Sequence, residues 1–285
     1  MMNLEKNSVA VITGAGSGIG RALSIQLAQM GANLALADMN ENTLKETVQL
    51  ISANTKITTH IVDVSDRERM QKFANEVKAE HGKATYLINN AGVTLLGAVE
   101  EISIEDIEWL MGINFWGTIY GVKFFLPVLK EQPKARIVNI SSIFGLIAPT
   151  GQSAYCASKF AVRGFTESLR HELENTNVTV SCVHPGGIKT NIAKSARVGE
   201  RTPPSEKQFA IKKFDKGTPT TPEIAADIII RGMLAGKPKI LIGPDAKVVD
   251  SLVRLFPIRY WNVLKKRMGF MPKKKRLELE PQSAE

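Results

Sequence analysis

The most constraining stretch of this sequence is a short apolar run followed at once by a glycine-rich segment. Residues 8–13 are rich in β-branched side chains, and residues 14–20 follow them before a helical pattern that begins at Arg21. A strand, a glycine turn and a helix in this order present free backbone N–H groups and a helix N-terminus to a phosphate. The glycine spacing is G-x-x-x-G-x-G and not the general G-x-G-x-x-G, so a tight turn without a ligand explains this segment alone equally well.

Strand-like and helix-like segments alternate along most of the chain. After the first strand, we expect further strands at residues 33–37, 57–62, 85–88, 135–140, 178–183 and 239–242. Helical patterns lie between them, at residues 41–53, 66–81, 104–131, 152–175 and 222–234. Such alternation implies right-handed crossovers and a parallel sheet with helices on both faces. We therefore predict one α/β domain over residues 1–245, a Rossmann-type doubly wound sheet of about seven strands.

Several residues suited to ligand binding come just after predicted strands, where a parallel sheet exposes its carboxyl ends. They are Gly14, Asp38, Asp63, Asn90, Ser142 and Pro185. Ligands bind at this edge of doubly wound sheets, because strand ends and helix N-termini converge there. The shared edge therefore predicts one site built from all of these segments.

Asp38 follows the second predicted strand and lies 20 residues beyond Gly18. A carboxylate at this place accepts hydrogen bonds from an adenosine ribose and repels a 2′-phosphate, so it favours NAD over NADP. Arg21 is a nearby cation that leaves the choice ambiguous. The structural alternative for Asp38 is the N-cap of a helix ahead of Glu41.

Tyr155 and Lys159 lie four residues apart in the helix predicted over 152–175, and Ser142 precedes Tyr155 by 13 residues. The four-residue spacing puts a phenol and a cation on one helix face. Lowering a tyrosine pKa by about 2 to 3 units takes on the order of 3 to 4 kcal/mol, which a close lysine and an oxidised nicotinamide can supply together. Taken alone, the pair is more simply explained as a half-buried tyrosine and a solvated lysine.

Cysteine and histidine usage argues against disulfide and metal chemistry. The chain has two cysteines, Cys156 and Cys182, and its four histidines are scattered without ligand spacing. No cationic segment precedes an apolar run at the start, and no window of about 18 uncharged apolar residues occurs. We therefore expect a cytoplasmic protein that holds no metal.

The net charge of +9 is concentrated near the end of the chain. Of the 37 Lys and Arg residues, nine lie between Arg254 and Arg276 with no acidic residue among them, which leaves 28 basic against 28 acidic residues elsewhere. The basic pI is therefore no argument for nucleic-acid binding by the main domain. Apolar and aromatic residues are interleaved with these cations, so residues 246–285 are predicted to form a basic amphipathic extension.

The extension has two interpretations. Residues 246–276 either contact an anionic membrane or pack on the same or a neighbouring subunit. Pro257 prevents a single long helix and so weakens the membrane interpretation. Residues 272–276 resemble a nuclear import signal, for which a solvated basic tail is the simpler explanation.

Taken together, these segments resemble the short-chain dehydrogenase/reductase family in its classical form. The matching pieces are residues 13–20, Asp63, residues 89–92, Asn114, residues 141–142, residues 155–159, residues 185–186 and Thr190. They occur in the family's order and at its spacing over residues 8–245. The resemblance implies hydride transfer between a nicotinamide cofactor and an alcohol or carbonyl substrate.

The resemblance also implies roles for individual residues. Asn114, Ser142, Tyr155 and Lys159 are expected to form the catalytic tetrad. Tyr155 is the implied general acid/base, and Ser142 holds the same substrate oxygen by a hydrogen bond. Lys159 is expected to lower the pKa of Tyr155 and to bind the nicotinamide ribose, while Asn114 fixes a water. The expected cofactor-binding residues, besides Tyr155 and Lys159, are Gly14, Ser17, Gly18, Ile19, Gly20, Asp38, Asp63, Val64, Asn90, Ala91, Gly92, Pro185, Gly186, Ile188 and Thr190.

The remaining segments suggest a lid and an oligomer. Residues 191–221 are polar and irregular and follow the sixth strand, which predicts a substrate lid. The helix at 104–131 carries more apolar residues than one core stripe needs, which indicates a subunit contact. The family resemblance implies that this helix and that at 152–175 pair subunits into a homodimer or homotetramer.

The predicted function is that of an NAD(H)-dependent oxidoreductase that interconverts a lipophilic primary or secondary alcohol and its aldehyde or ketone. Two alternatives remain open. One is an NAD-binding sensor or scaffold protein without turnover, and the other is an NADPH-dependent carbonyl reductase.

Overall fold

Strands and helices alternate in the computed structural model, which describes residues 4–203, 205–206, 208–209, 211–212 and 220–267. The strands are β1 (Val9–Thr13), β2 (Asn33–Asp38), β3 (Ile57–Ile61), β4 (Tyr86–Asn89), β5 (Leu95–Leu96), β6 (Ala135–Ile140), β7 (Val178–Pro185), β8 (Arg197–Val198) and β9 (Lys239–Ile242). The helices are α1 (Gly18–Gln29), α2 (Glu41–Gln49), α3 (Arg67–His81), α4 (Ile104–Met111), α5 (Gly117–Lys130), α6 (Ser153–Glu172), α7 (Pro222–Leu234), α8 (Pro244–Leu255) and α9 (Tyr260–Arg267).

Seven of these strands form one parallel sheet in the order β3-β2-β1-β4-β6-β7-β9. The strand order reverses between β1 and β4, and this switch creates a crevice at the carboxyl ends of both strands. The predicted doubly wound Rossmann-type sheet is thereby confirmed. Strands β5 and β8 form a separate parallel ladder, with Leu95 opposite Arg197.

Helices cover both faces of the sheet, which explains why the central strands β1, β4 and β6 are buried along their whole length. All of Val9–Thr13 is buried, as expected for a strand without a solvent face. On one face, Leu27 of α1 and Ile229 of α7 belong to the same core cluster. On the other face, Phe73 of α3 meets Phe125 of α5 with ring centroids 5.3 Å apart.

Two helix boundaries differ from the sequence expectation. Helix α1 begins at Gly18 and not at Arg21, because the Arg21 N–H already donates to the Ser17 carbonyl at 3.1 Å. The glycines therefore form the first turn of the helix. Helix α2 ends at Gln49 and not at residue 53. The Leu50 N–H is shared between the carbonyls of Glu46 and Thr47, and the Ile51 N–H donates to Val48, three residues back, which tightens and closes the last turn.

The single helix predicted over residues 104–131 is interrupted in its middle. Helix α4 ends at Met111, α5 begins at Gly117, and Gly112–Trp116 between them is a π-helical turn. A π turn holds an extra residue and is frequent at functional sites. Here it carries Asn114, whose side chain is buried.

The described part of the C-terminal extension folds back on its own chain. Helices α8 and α9 bury Val249 and Leu264 against Leu146 and Ile147, and Pro257 lies in the turn between them, as the expected helix break. The basic stretch at 272–276 lies outside the described residues, and the division at residue 245 stays a prediction. Among the described residues, we find no helix with the length and apolar character needed to span a bilayer.

Strand β7 carries a histidine, His184, whose side chain is fully buried. Its Nδ1 lies 3.0 Å from the Ser142 carbonyl oxygen, and its Nε2 has no hydrogen-bond partner in the described part of the chain. Burial lowers the pKa of His184 to about 4. The ring is therefore neutral in the folded protein above that pH, with its proton on the nitrogen that faces the carbonyl.

We predict that His184 makes the fold less stable as the pH falls from about 6.5 to about 4. In this window the unfolded chain binds a proton at His184 that the folded chain does not, so the free energy of unfolding rises with pH. Between pH 7 and pH 5 this residue should account for about 2 kcal/mol. Urea unfolding of His184→Gln should lack that part of the pH dependence, and His171→Gln, at an exposed histidine, should keep it. Equal pH dependence in the wild type and His184→Gln would show that the prediction is wrong.

Candidate active site

A cavity of about 1800 Å³ opens at the carboxyl edge of the sheet. It is lined by most of the residues that the sequence singled out: Gly14, Ser17, Gly18, Ile19, Asp38, Asp63, Val64, Asn90, Ala91, Gly92, Ser142, Tyr155, Lys159, Pro185, Gly186, Ile188 and Thr190. Two predicted site residues, Gly20 and Asn114, are absent from this lining. The structure thus brings nearly the whole predicted set to one place.

The glycine turn forms a cradle that larger residues would fill. Gly14 has a positive φ of 66°, and a Cβ there would lie 2.8 Å from the Cα of Ala91. A Cβ at Gly20 would lie 2.0 Å from the Gly14 carbonyl oxygen, so Gly20 supports the turn from beneath and does not face the cavity. Ser17 is the N-cap of α1 and makes no side-chain capping bond. The first N–H groups of α1 are therefore without a side-chain cap, which fits a pyrophosphate.

The loop after β4 is tied to the glycine turn by Thr13 and Asn90. Thr13 Oγ1 accepts hydrogen bonds from the backbone N–H groups of Asn90 and Ala91, at 3.0 and 3.1 Å. The Asn90 amide donates in return to the carbonyls of Thr13 and Gly14, at 3.0 and 3.1 Å. Sequence reasoning assigned no role to Thr13. Its position as the last residue of a buried strand was the available signal.

Asp38 lies at the end of β2 and faces the cavity. One carboxylate oxygen accepts from the Gly16 N–H at 2.8 Å, and the other accepts from the Asn40 N–H at 2.9 Å. The N-cap of α2 is Asn40, whose side chain accepts from the Thr43 N–H, so the N-cap alternative for Asp38 is wrong. Near the same cavity, Asp63 Oδ1 accepts from the N–H and hydroxyl of Ser65.

Arg21 makes several hydrogen bonds of its own. Its guanidinium donates to the carbonyls of Gly16 and Thr43, to Thr47 Oγ1 and to Glu46, with which it forms an ion pair at 2.8 Å. These contacts turn its charge toward α2. Arg21 left the choice between NAD and NADP ambiguous. That ambiguity is reduced, because the guanidinium already donates to acceptors of the protein and is less available to a 2′-phosphate.

The phenol, the hydroxyl and the amine of the predicted tetrad converge on the cavity. Tyr155 and Ser142 both line the cavity, and Ser142 Oγ accepts from the Phe144 N–H at 3.1 Å. Lys159 Nζ lies 5.7 Å from the centroid of the Tyr155 ring and donates to the Ile140 carbonyl at 3.1 Å. Tyr155 and Lys159 are both buried. Helix α6 and the carboxyl end of β6 therefore supply the three groups together.

Burial controls the ionisation of this pair. It raises the pKa of Tyr155 to about 12, although the nearby Ser142 side chain acts in the lowering direction. It also lowers the pKa of Lys159 to about 8. Desolvation of the phenolate therefore dominates the pKa of Tyr155 in the chain by itself, and the expectation that Lys159 and an oxidised nicotinamide together lower it stays a prediction. At neutral pH the phenol keeps its proton.

Asn114 lies behind the cavity, on the π-helical turn. Its Oδ1 accepts from the Val93 N–H at 2.8 Å, and its Nδ2 donates to the Val93 carbonyl and to Ser158 Oγ, both at 3.0 Å. Ser158 in turn donates to the Tyr155 carbonyl at 2.8 Å. The Asn114 side chain therefore connects the loop after β4 to α6. Ser158, which the sequence reasoning passed over, completes that connection.

Part of the segment after β7 forms a regular strand that pairs with another strand. Strand β8 pairs with β5, so residues 197–198 are not irregular as the lid prediction held. The Arg197 guanidinium stacks 3.8 Å from the Trp109 ring and pairs with Asp106 at 3.1 Å. Ile192, Ala196 and Phe209, from the described parts of the predicted lid, line the cavity. This segment therefore forms one wall of the site.

The C-terminal helices contribute another wall, which the sequence did not predict. Val248, Val249, Trp261 and Leu264 of α8 and α9 line the cavity. Asp245 of α8 accepts from the Gly187 N–H at 2.8 Å and so ties α8 to the loop after β7. No sequence signal pointed to Asp245, because it follows the last strand, where the family resemblance ends.

Comparison with known proteins agrees with this geometry. The family model described as short chain dehydrogenase matches residues 8–201. SadH of Mycobacterium tuberculosis, whose name describes it as an oxidoreductase, is 43% identical over 263 residues, which cover 91% of this chain and 94% of SadH. Estradiol 17-beta-dehydrogenase 11 of Homo sapiens is 31% identical over 265 residues, which cover 92% of this chain and 83% of that protein.

A solved structure extends the likeness to three dimensions. The short-chain dehydrogenase/reductase from Burkholderia phymatum in complex with NAD superposes with a TM-score of 0.80 at 30% identity, and the match covers 98% of each chain. The glycine cradle and the uncapped start of α1 fit the same class of cofactor. The chain therefore belongs to the short-chain dehydrogenase family of oxidoreductases, which act on CH–OH groups with a nicotinamide dinucleotide.

Proposed function

We propose that this protein is an NAD(H)-dependent dehydrogenase that interconverts a lipophilic alcohol and its carbonyl product, with Tyr155 as general acid/base. The observation that carries the proposal is the convergence of the Tyr155 hydroxyl, Ser142 Oγ and the Lys159 ammonium on one buried wall of the cavity. A substrate oxygen within reach of Tyr155 and Ser142 would meet one proton donor and one hydrogen-bond partner.

Three side chains of the protein have separate roles in the proposed reaction. Bound NAD supplies the hydride acceptor in one direction and the hydride donor in the other. Ser142 holds and orients the substrate oxygen, and its own position is held by the Phe144 N–H. Tyr155 exchanges the proton on that oxygen. Lys159 places a positive charge near the Tyr155 ring, which favours the phenolate when the proton leaves.

The protonation states favour proton donation in the resting site. A pKa of about 12 keeps Tyr155 protonated at neutral pH, so it is ready to donate to a carbonyl oxygen. Alcohol oxidation requires the phenolate, so the pKa of Tyr155 must fall when the positively charged oxidised cofactor binds beside it. A fall from about 12 to about 8 corresponds to about 5 kcal/mol of differential stabilisation. Asn114 is proposed to support this pair through Val93 and Ser158, and its water remains a prediction.

The contacts of Asp38 and Arg21 support NAD over NADP. Asp38 presents a carboxylate to the cavity where the adenosine ribose of a dinucleotide would lie. Arg21 already donates to four protein groups, one of which is its ion-pair partner Glu46. Neutralising a 2′-phosphate would require Arg21 to give up these contacts. An NADPH-dependent carbonyl reductase is therefore the weaker alternative.

The walls of the cavity support a lipophilic substrate. Near Tyr155, its lining includes Val93, Leu96, Ile143 and Phe144. Helices α8 and α9 add further apolar side chains to this lining. Burial of an apolar substrate there gains about 25 cal/mol for each Å² removed from water. A steroid dehydrogenase among the relatives is compatible with a bulky apolar substrate but does not identify it.

Exposed aromatic residues support pairing of subunits through α4, α5 and α6. The rings of Trp116, Tyr120 and Phe124 stack in succession along α5, with centroids 5.8 and 6.2 Å apart, and 48% of Trp116 is exposed. Phe160 of α6 is also exposed. Such a stripe is more apolar than a solvated helix face requires, so we propose a homodimer or homotetramer. A cytoplasmic location likewise remains a prediction.

The test of the proposed chemistry is Tyr155→Phe. Removing the hydroxyl should lower kcat/KM across a panel of alcohols by about a thousandfold, within the range that general acid/base groups contribute. NADH should still bind with an affinity within about threefold of the wild type, because the ring and its packing remain. Fluorescence titration measures binding, and absorbance of NADH measures turnover.

Tyr86→Phe is the matched control, since Tyr86 is buried at the start of β4, away from the cavity lining, and it should keep wild-type turnover. Unchanged activity in Tyr155→Phe would remove Tyr155 from the proposed role. Absence of turnover in the wild type on every alcohol, with NADH still bound, would favour the sensor or scaffold alternative.

Cofactor preference is tested with Asp38→Asn. The wild type should bind NADH at least about tenfold more tightly than NADPH, because a carboxylate close to a 2′-phosphate costs on the order of 1 to 4 kcal/mol. Asp38→Asn should narrow that ratio by weakening NADH binding and strengthening NADPH binding. Glu41→Gln removes a nearby exposed carboxylate outside the cavity lining and should leave the ratio unchanged. Tighter NADPH than NADH binding by the wild type would contradict this account of Asp38.

A further inference from the structure

The turn between α8 and α9 exposes a continuous apolar surface. Leu255, Phe256 and Ile258 are 73%, 50% and 87% exposed, and Pro257 between them is exposed as well. We call residues 255–258 the apolar tip. Single exposed apolar residues are common on proteins, but a run of them at one protruding turn marks an interaction surface.

The apolar tip is not needed to hold its own helices in place. Helices α8 and α9 are already fixed by their opposite sides, where Val249 and Leu264 are buried against Leu146 and Ile147. The Tyr260 hydroxyl also accepts from the Ala148 N–H at 3.3 Å. The tip therefore projects from an anchored pair of helices.

Positive charge surrounds the apolar tip. Arg254 and Arg259 flank it directly, and the interval from Arg254 to Arg276 contains nine basic residues and no acidic one. Arg254 contacts Asp250 at 3.3 Å, yet its side chain stays 67% exposed. Since the rest of the chain has 28 basic and 28 acidic residues, the protein's excess charge lies in the stretch of sequence that begins just before this tip and continues beyond it.

We propose that the apolar tip inserts into the surface of an anionic lipid bilayer, while Arg254 and Arg259 contact the lipid headgroups. Apolar side chains that enter the acyl boundary, with cations at headgroup level, are the two components of peripheral membrane binding. Pairing of the same tip in two copies of this chain would bring their cations together, so charge complementarity selects the lipid surface.

Docking at this turn places the membrane next to the substrate wall. The two helices that carry the apolar tip also supply Val248, Trp261 and Leu264 to the cavity. A lipophilic alcohol dissolved in the bilayer would then reach the site without crossing water. This second step rests on the proposed dehydrogenase function, whereas binding of the tip to lipid does not.

The test uses the full-length protein and two kinds of vesicle, phosphatidylcholine alone and phosphatidylcholine with phosphatidylglycerol. The wild type should co-sediment with the anionic vesicles at least about tenfold more strongly than with the neutral ones, and added salt should weaken that binding. The double variant Leu255→Glu/Ile258→Glu should lose at least about tenfold in binding to the anionic vesicles.

Two controls separate the apolar tip from other causes. Ile224→Glu makes the same change at an exposed isoleucine of α7 and should bind vesicles like the wild type. A chain that ends at Arg267 keeps the tip and should keep measurable binding. Turnover of a small water-soluble alcohol should be equal in all variants, which shows that they are folded.

Several outcomes would overturn the proposal: no preference for anionic vesicles, full binding by the double variant, or complete loss of binding in the chain that ends at Arg267. A smaller oligomer for the double variant in size-exclusion chromatography would also overturn it, because the tip would then be a subunit contact. Absence of turnover in every variant would contradict the proposed function and leave the vesicle result valid.

Discussion

Burial of the Tyr155 phenol beside Ser142 and Lys159 is the constraint on which this site depends. The same desolvation raises the pKa of the phenol to about 12 and lowers that of the ammonium to about 8, so the charged form of each group is less favourable than in water. A buried ionisable pair persists only if its surroundings are rigid and hydrogen-bonded. That rigidity comes from hydrogen bonds of 2.8 to 3.0 Å, which join Asn114 to Val93 and Ser158, and Ser158 to the Tyr155 carbonyl.

The architecture and most of the site could be predicted from the sequence, because they depend on local patterns. A buried strand ending in glycines implies a cradle, and polar residues after successive parallel strands must meet at one edge. Asp38, Asn90, Ser142 and Tyr155 accordingly all line the cavity. The direction of the Tyr155 pKa shift could not be predicted, since it depends on how deeply α6 is buried.

Other features lacked a local signal. The π-helical turn at Asn114 adds one residue within an otherwise continuous helical stretch and has no residue signature of its own, so residues 104–131 are predicted as one helix. The ladder of β5 and β8 is two residues long on each side, which is too short to show a strand period. The contribution of α8 and α9 to the cavity depends on tertiary packing of Val249 and Leu264, and their sequence is equally suited to other partners.

The central claim is that Tyr155 is a neutral phenol in the free protein and becomes the base when the oxidised cofactor binds. Ultraviolet difference titration of the wild type against Tyr155→Phe, with and without NAD⁺, measures this ionisation directly. Without NAD⁺, no phenolate absorbance from Tyr155 should appear below about pH 10, and with NAD⁺ its pKa should fall by at least about 2 units. A Tyr155 pKa that NAD⁺ leaves unchanged would contradict the account.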